Sequence, residues 1–449
     1  MKLRRPRRFA AAMLLGAFVG GSVAYVLRRV PARDVAPEAE LGEVRLGRFE
    51  DADLERPQVP ARLVPVAAGV GQPTDIAFVP GHPSKLVVTS KWGSLHLVDL
   101  ATETRVTWLW LPVLDALESG VLGLAFAPDF TESGRFFVHQ TPRSEDDSVV
   151  TSALTELRVD PQTLAEPRVV GELLRIPQPH GTHNAGQLAF GPDGMLFMAL
   201  GDGYAGRPAR RSQDRTNLLG SLVRVDVSTS GRYTVPPDNP FVGQEGVRPE
   251  IWAYGFRNPW RFTFDGRGRA IVADVGAARW EEVAVVRAGD NHGWPDREGF
   301  VCHPPETCTD APDEPEPGDE DEGAPSAVEG VAAREGSTDA PGNAAAPPAG
   351  PSSDFADPVL VYDHRDGISI TGGVEWQAPG PLEGAYIFGD FGTGRIWAAR
   401  LPEPPARVEE LTALGRFDVS PSAFARDAEG RVFLTDFRME RVYRIDLAL

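Results

Sequence analysis

Hydrophobic and polar positions follow one order repeatedly from about residue 67 to the C-terminus. Each repeat has a short apolar strand, a turn, a second apolar run and a last strand that ends near an Asp. Six such repeats begin near Pro73, Gly120, Gly186, Trp260, Thr371 and Ser422. Repeats of this length and all-β content predict a six-bladed β-propeller with one four-stranded sheet in each blade.

The repeat is most complete in the stretch Gly181–Gly206. A polar loop with His183 precedes an apolar run, a Gly-Pro-Asp-Gly turn, a second run at Met195–Leu200 and then Asp202. This order predicts an antiparallel hairpin, whose second strand returns beside its first. His183 and Asp202 are then expected at the same end of the sheet. An imidazole oriented by a carboxylate is a common general base, although a histidine in a propeller loop is more often a structural hydrogen-bonding residue.

Two segments before the repeats have a different composition. Residues 1–33 carry eight basic side chains and no acid, and the run 9–27 is uncharged. This pattern fits either an uncleaved membrane anchor or a signal peptide that is cut after Ala24. Both readings place the body of the protein in the periplasm or outside the cell. Residues 34–66 are Pro-rich and polar and are expected to form a linker, which leaves residues 67–449 for the propeller.

An acidic segment, residues 303–357, is expected to interrupt the fifth repeat. It holds fourteen acids and one Arg and almost no large apolar residue, so we expect a disordered loop. The ligand spacing of an EF-hand calcium loop is missing from it. The chain has two cysteines, Cys302 and Cys308, which in an exported protein favour a small disulfide loop.

Charge and motif context exclude two classes of partner. The net charge of −19 argues against a nucleic-acid-binding surface. Gly201–Gly206 fits the dinucleotide fingerprint GxGxxG, but no amphipathic helix follows it and the chain has no βαβ alternation. A nicotinamide site is therefore not expected.

Several motifs, in order, resemble one known family. They are His183-Asn-Ala-Gly-Gln-Leu-Ala-Phe-Gly-Pro-Asp-Gly, Glu250-Ile-Trp-Ala-Tyr-Gly-Phe-Arg-Asn-Pro-Trp-Arg-Phe, Ala273-Asp-Val-Gly and Asn291-His-Gly-Trp-Pro. On these motifs the chain resembles the glucose/sorbosone dehydrogenase family, which includes soluble glucose dehydrogenases that use pyrroloquinoline quinone (PQQ). The resemblance covers about residues 67–448 apart from the acidic segment, and it implies the same six-bladed propeller.

The resemblance implies roles for four residues in the reaction. His183 matches the general base, which takes the proton of the sugar's anomeric hydroxyl while hydride passes to the C5 carbonyl of PQQ. Asp202 matches the carboxylate that orients this histidine. Arg257 and Asn258 match the pair on the quinone, where a guanidinium can stabilise developing negative charge.

It also implies a set of cofactor and metal contacts. Glu118 matches a position beside the cofactor, and Gly276 and Ala277 match positions whose backbone carbonyls bind a calcium ion. The soluble glucose dehydrogenase branch has a lysine and arginines in its last two blades that hold the PQQ carboxylates. Here Arg395 is the one obvious candidate in the corresponding loops.

The implied activity is oxidation of an aldose at its anomeric carbon to a lactone, with electrons passed to an external acceptor. Two alternatives stay open at this point. One is a non-catalytic propeller that binds a glycan or a protein, as the resemblance to hedgehog-interacting proteins implies. The other is a calcium-dependent lactonase of the same architecture, which needs carboxylate and Asn side-chain ligands on the axis.

Overall fold

Six antiparallel sheets arranged as propeller blades make up nearly all of the described structure. The computed structural model describes residues 41–49, 56–114, 116–144, 150–204, 210–303 and 355–448. The strands are β1 (Arg45–Leu46), β2 (Ala61–Ala68), β3 (Pro73–Phe78), β4 (Lys85–Ser90), β5 (Ser94–Asp99), β6 (Thr104–Trp110), β7 (Val121–Phe126), β8 (Arg135–Gln140), β9 (Val150–Arg158), β10 (Arg168–Gln178), β11 (Leu188–Phe190), β12 (Leu196–Leu200), β13 (Ser221–Val225), β14 (Ile251–Tyr254), β15 (Arg261–Phe264), β16 (Ala270–Asp274), β17 (Trp280–Val286), β18 (Arg297–Glu298), β19 (Val301–Cys302), β20 (Leu360–Asp363), β21 (Ile370–Glu375), β22 (Tyr386–Asp390), β23 (Arg395–Ala399), β24 (Thr412–Arg416), β25 (Pro421–Arg426), β26 (Val432–Asp436) and β27 (Arg441–Leu447).

Each of the first five blades takes four of these strands in sequence order, and the sixth combines strands from both ends of the propeller chain. Blades one to three are β3–β6, β7–β10 and β11–β14; blade four is β15–β17 with β20; blade five is β21–β24. Blade six joins β25–β27 to β2, with β1 added outside β2. A short helix, α1 (Phe130–Ser133), and a 3₁₀ turn (Arg210–Gln213) lie in connections. The six-bladed propeller expected from the repeats is confirmed.

Burial explains why the middle strands are continuously apolar. All five residues of β12, and likewise of β16, are buried, because neighbouring blades cover both faces of the sheet. The outer strand β6 has exposed positions, because its edge faces solvent. The apolar core is therefore divided among the six boundaries between blades; Ile387 and Leu434, for example, meet at the boundary of blades five and six.

The first strands of successive blades contact each other in a closed ring around the axis. Polar groups tie this ring together. The buried guanidinium of Arg261, in blade four, donates to the backbone carbonyls of Thr74 in blade one and Ser422 in blade six. Asp75 of blade one accepts the backbone N–H of Leu124 in blade two at 2.8 Å. These contacts fix the first strands, from which the site loops extend.

The ring is closed by pairing the two ends of the propeller chain. β2 runs antiparallel to β27, with Leu63 opposite Ile445. β2 starts at Ala61, ahead of the boundary expected at residue 67, within the segment expected to be a linker. The sequence pattern did not indicate a strand there, because Pro65 interrupts the apolar alternation. The structure accommodates that proline at a register shift between Pro65 and Ala67, where prolines are tolerated in sheets.

The acidic segment lies in a different blade from the one expected. It falls between β17 and β20, the third and fourth strands of blade four, rather than in the fifth repeat. The short apolar run that completes blade four is β20, which comes after the insertion. Because of this separation the sequence pattern did not assign β20 to blade four. Its expected disorder concerns residues 304–354, which lie outside the described residues, as does the expected anchor at 9–27. Among the described residues, no helix is long and apolar enough to cross a membrane.

Replacing Leu63 tests the closing strand. Leu63 is fully buried in the core between blades five and six, so Leu63→Ala should lower the free energy of unfolding by about 2–5 kcal/mol. Its neighbour Arg62 is exposed, and Arg62→Ala is the matched control, with an effect within about 0.5 kcal/mol. Chemical denaturation of both variants checks this. Equal, small effects would mean that β2 does not hold the ring closed.

Candidate functional site

The residues singled out from the sequence lie at one end of the propeller. At this end, called here the top face, first strands begin and second strands end. Loops between blades and loops between second and third strands therefore both open onto it. Glu118 precedes β7, His183 precedes β11, Asp202 follows β12, Arg257 and Asn258 lie between β14 and β15, Gly276 and Ala277 follow β16, and Arg395 begins β23.

His183 and Asp202 form a buried hydrogen-bonded pair. Nδ1 of His183 lies 2.7 Å from Oδ1 of Asp202, and the two residues are 8% and 2% exposed. Because a carboxylate accepts and does not donate, Nδ1 carries the proton and the lone pair of the neutral ring is on Nε2. No described residue hydrogen-bonds to Nε2. The geometry is that of a general base oriented by a carboxylate.

The backbone around His183 is held tightly in place. His183 has a φ of 55°, in the left-handed region that non-glycine residues rarely adopt. Its carbonyl accepts the N–H of Gly203, while a Cβ atom on Gly201 would overlap that same carbonyl oxygen. Glycine at 201 therefore lets the end of β12 approach His183 closely enough for Asp202 to reach the imidazole.

Trp294 also binds Asp202, a contact that the sequence analysis did not predict. Its indole N–H donates to Oδ2 of Asp202 at 2.8 Å, so both oxygens of the carboxylate are held. The indole is 5% exposed, and the guanidinium of Arg257 lies 5.5 Å from its ring centroid. The sequence analysis gave Trp294 no role in the site. Its place in the Asn291-His-Gly-Trp-Pro motif was the one available signal.

Asp274 fixes the backbone of Arg257 and Asn258. Its carboxylate accepts the N–H of Arg257 at 2.9 Å and that of Asn258 at 2.7 Å. Burial raises the pKa of Asp274 to about 7, although the two N–H groups and the Arg257 guanidinium act in the opposite direction. The side chain of Arg257 donates to the Val275 carbonyl at 3.0 Å. Asp274 belongs to the Ala273-Asp-Val-Gly motif but received no role from the sequence.

Glu118 links the loops of blades two, three and four. Its Oε2 accepts the N–H of Asn184 at 3.3 Å and the Asn258 side-chain amide at 3.4 Å. Beside it, Ser119 Oγ and Asn184 Oδ1 are buried and have no hydrogen-bond partner among the described residues. Asn258 Oδ1 accepts the N–H of Ala185 at 3.1 Å. The structure therefore brings Glu118, His183, Asp202, Arg257 and Asn258 into one connected group.

Gly276 and Ala277 lie in the loop between β16 and β17, next to this group along the chain. A Cβ on Gly276 would overlap the carbonyl oxygen of Trp280, so only glycine fits there. The N–H of Gly276 donates to Glu281 at 3.3 Å. Among the residues described here, no cluster of three or more His, Cys, Asp or Glu side chains is arranged to hold a metal.

Arg395 is engaged elsewhere on the top face. Its Nη1 donates to the Asp366 carboxylate at 3.1 Å and to the Asp366 carbonyl at 2.7 Å. Arg56 contacts the other oxygen of the same carboxylate at 2.5 Å. Neither of these two hydrogen bonds of Arg395 is made to the group around His183. Arg56 was assigned to the linker by its sequence and was not considered as a site residue.

His292 and His364 contact other side chains of the protein. His292 is buried and stacks on Phe256 at 4.4 Å, and burial lowers its pKa to about 3. His364 lies 3.0 Å from Glu281, whose hydrogen bond raises the histidine's pKa. By contrast, Tyr204 is 40% exposed and its ring centroid lies 4.9 Å from that of His183. An exposed aromatic ring therefore lies beside the imidazole.

Comparison with known proteins identifies the family. The Glucose / Sorbosone dehydrogenase family matches residues 70–311 of the 449-residue chain, which is more than half of it. The chain belongs to this family. The matched residues include His183, Asp202 and Trp294, while the repeats that begin near Thr371 and Ser422 lie beyond them.

Three relatives show how broad this family is. The HIPL1 protein of Arabidopsis thaliana is 30% identical over 63% of this chain and 44% of its own length. An aldose sugar dehydrogenase of Escherichia coli is 32% identical over 50% of this chain and 58% of its own. The human Hedgehog-interacting protein is 31% identical over 33% of this chain and 23% of its own. The chain thus spans less than half of HIPL1.

A solved structure supports the fold. The PQQ-bound form of an aldose sugar dehydrogenase from Streptomyces coelicolor superposes with a TM-score of 0.62 at 22% identity. The match covers 87% of this chain and 99% of that one. At this identity the likeness establishes the propeller architecture and leaves the chemistry to the residues of the site.

Replacing Trp294 tests its hold on the His183–Asp202 pair. In Trp294→Phe the ring packing is largely kept, but Oδ2 of Asp202 loses its donor, which costs about 1–3 kcal/mol for a buried acceptor. We expect His183 to lose its fixed Nδ1–H tautomer, measured by nitrogen-15 NMR of histidine-labelled protein. Trp260→Phe is the control, because the Trp260 N–H donates to Ser422 near the axis instead. An unchanged His183 signal in Trp294→Phe would contradict the assignment.

Proposed function

We propose that this protein oxidises an aldose at its anomeric carbon to a lactone, using PQQ and calcium, outside the cytoplasm. The observation that carries the proposal is the buried His183–Asp202 pair, whose Nε2 is the basic atom, joined through one loop network to Arg257 and Asn258. Two similar proteins support the proposal. One is the aldose sugar dehydrogenase of similar sequence, and the other is the structurally similar aldose sugar dehydrogenase in its PQQ-bound form.

The residues present fit both groups. PQQ is a planar quinone with several carboxylates, and it requires polar and cationic partners. Arg257 and Asn258 supply these beside His183, and the unpartnered polar atoms of Ser119 and Asn184 are suited to a polar ligand. Calcium takes hard oxygen ligands, which the carbonyls of Gly276 and Ala277 can supply.

The protein's own groups account for proton and charge handling. When bound, PQQ supplies the two-electron acceptor for hydride, and calcium polarises it. The sugar hydroxyl must lose a proton as hydride leaves the same carbon, and Nε2 of His183 accepts it. Asp202 then stabilises the imidazolium through Nδ1–H, and Trp294 keeps that carboxylate in place. Arg257 contributes positive charge on the same face.

Arg395 is proposed as a contact for a PQQ carboxylate. Two guanidinium groups, those of Arg395 and Arg56, share the single carboxylate of Asp366. A cofactor carboxylate would compete with Asp366 for them. Arg56 therefore joins Arg395, the one obvious candidate in the loops of the last two blades, as a candidate for cofactor binding.

A non-catalytic binding propeller is the second candidate. It is favoured by the match to the Hedgehog-interacting protein and by the ion pair that already occupies Arg395. The calcium-dependent lactonase is less well supported, since it needs carboxylate side-chain ligands on the axis. The described part of the chain shows no such cluster.

The proposal also includes export of the protein and a disulfide bond between Cys302 and Cys308. No cysteine among the described residues is free, and Cys302 ends β19 in a half-buried position. Cys308 lies outside the described residues. The basic, apolar N-terminal segment would place the propeller in the periplasm or outside the cell, either anchored by residues 9–27 or released by cleavage.

Reconstitution and mutation of His183 test the function. Purified protein given PQQ and calcium should reduce a dye acceptor with an aldose as substrate. His183→Ala should lower kcat at least about a hundredfold, since general-base contributions are about 10²–10⁴. Asp202→Asn should cost less, because it misorients the base without removing it.

His82→Ala is the control, because His82 lies against Pro161, away from the top face, and should leave turnover unchanged. Wild-type turnover in His183→Ala would contradict the base assignment. If the wild-type protein binds no PQQ at saturating calcium, the enzyme proposal is wrong and the binding propeller takes its place.

A further inference from the structure

One carboxylate oxygen organises the whole loop between β16 and β17. Oε1 of Glu298 accepts four consecutive backbone N–H groups, those of Ala277 and Ala278 at 2.8 Å, Arg279 at 2.9 Å and Trp280 at 3.1 Å. Consecutive amides that converge on one anion form a nest. Here the anion is a side chain of the protein itself, and it is 3% exposed.

Glu298 reaches the loop from a separate element. It lies in β18, which pairs with β19 as a two-stranded hairpin, with Glu298 opposite Val301. The hairpin is seated against the end of the loop, where a Cβ on Gly299 would lie 3.0 Å from the Trp280 ring. The loop conformation is thus imposed from outside blade four's main sheet.

The nest fixes the direction of the loop's carbonyls. In a trans peptide the C=O of one residue points opposite to the N–H of the next. Since the N–H groups of Ala277 and Ala278 point at Glu298, the carbonyls of Gly276 and Ala277 point away from it. These are the two carbonyls that the proposed calcium site uses.

We propose that Glu298 is a positioning residue for the calcium site: it holds the amides of residues 277–280 so that the carbonyls of Gly276 and Ala277 face the metal. This inference rests on the proposed function for the presence of calcium at that loop. In this proposal Glu298 accepts the hydrogen bonds of the amides and does not bind the ion.

Two conservative variants separate positioning from charge. Glu298→Gln keeps an acceptor oxygen at the same reach but removes the charge. Glu298→Asp keeps the charge but is one methylene shorter, so its oxygen cannot meet all four amides. If Glu298 acts by positioning, Asp should weaken calcium binding by about 10–100-fold, the usual effect of losing a partner behind the metal ligands, and Gln should weaken it by less.

Calcium alone is the probe, titrated calorimetrically into chelator-stripped full-length protein without PQQ or sugar. Glu375 provides the matched control, because it accepts the backbone N–H of Gly266 at 2.8 Å at the opposite end of the propeller. Glu375→Asp and Glu375→Gln should leave calcium affinity unchanged. Melting temperatures in chelator show that each variant is folded.

The outcomes are distinct. A large loss in Glu298→Asp with a smaller one in Glu298→Gln supports the inference. The reverse order would show that Glu298 acts through its charge, and wild-type affinity in both would show that the loop needs no such anchor; either result overturns it. If the wild-type protein binds no calcium, the metal part of the proposed function fails and the inference fails with it.

Discussion

The pairing of β2 with β27 is the constraint on which the rest of the structure depends. It joins the start of the propeller to its end and so closes six blades into a ring. Closure brings the first strands together around one axis, where Arg261 links blade four to blades one and six. With the first strands fixed, loops from blades two, three and four meet on the top face. Residues far apart in sequence can then share one site.

Buried carboxylates turn that meeting of loops into a defined geometry. Asp202 holds the imidazole of His183 and the indole of Trp294, while Asp274 holds two backbone amides at Arg257 and Asn258. Glu298 holds four more amides in the next loop. Buried carboxylates are costly unless they are hydrogen-bonded, and each of these accepts hydrogen bonds from donors in a neighbouring loop. The same contacts that offset burial therefore position the groups that would face a ligand.

The sequence predicted what depends on local pattern. Apolar runs such as Met195–Leu200 gave the blades, and a hairpin rule placed His183 beside Asp202. It did not predict what depends on distant partners. Pro65 interrupts the pattern of the closing strand, and the insertion separates β20 from the other strands of blade four. Trp294 could not be recognised as a donor to Asp202, because it comes 92 positions later in the chain. The contacts of Arg395 also depend on distant residues, because Asp366 pairs with both Arg395 and Arg56.

The central claim is the proposed function, in which the top face binds PQQ with calcium at the Gly276–Ala277 loop. The most direct measurement is an equilibrium titration of PQQ into the full-length protein, followed by its absorbance, in calcium and again in chelator. The account predicts saturable binding with one PQQ per chain in calcium and much weaker binding in chelator. No saturable binding in calcium, or equal binding in both conditions, would contradict it.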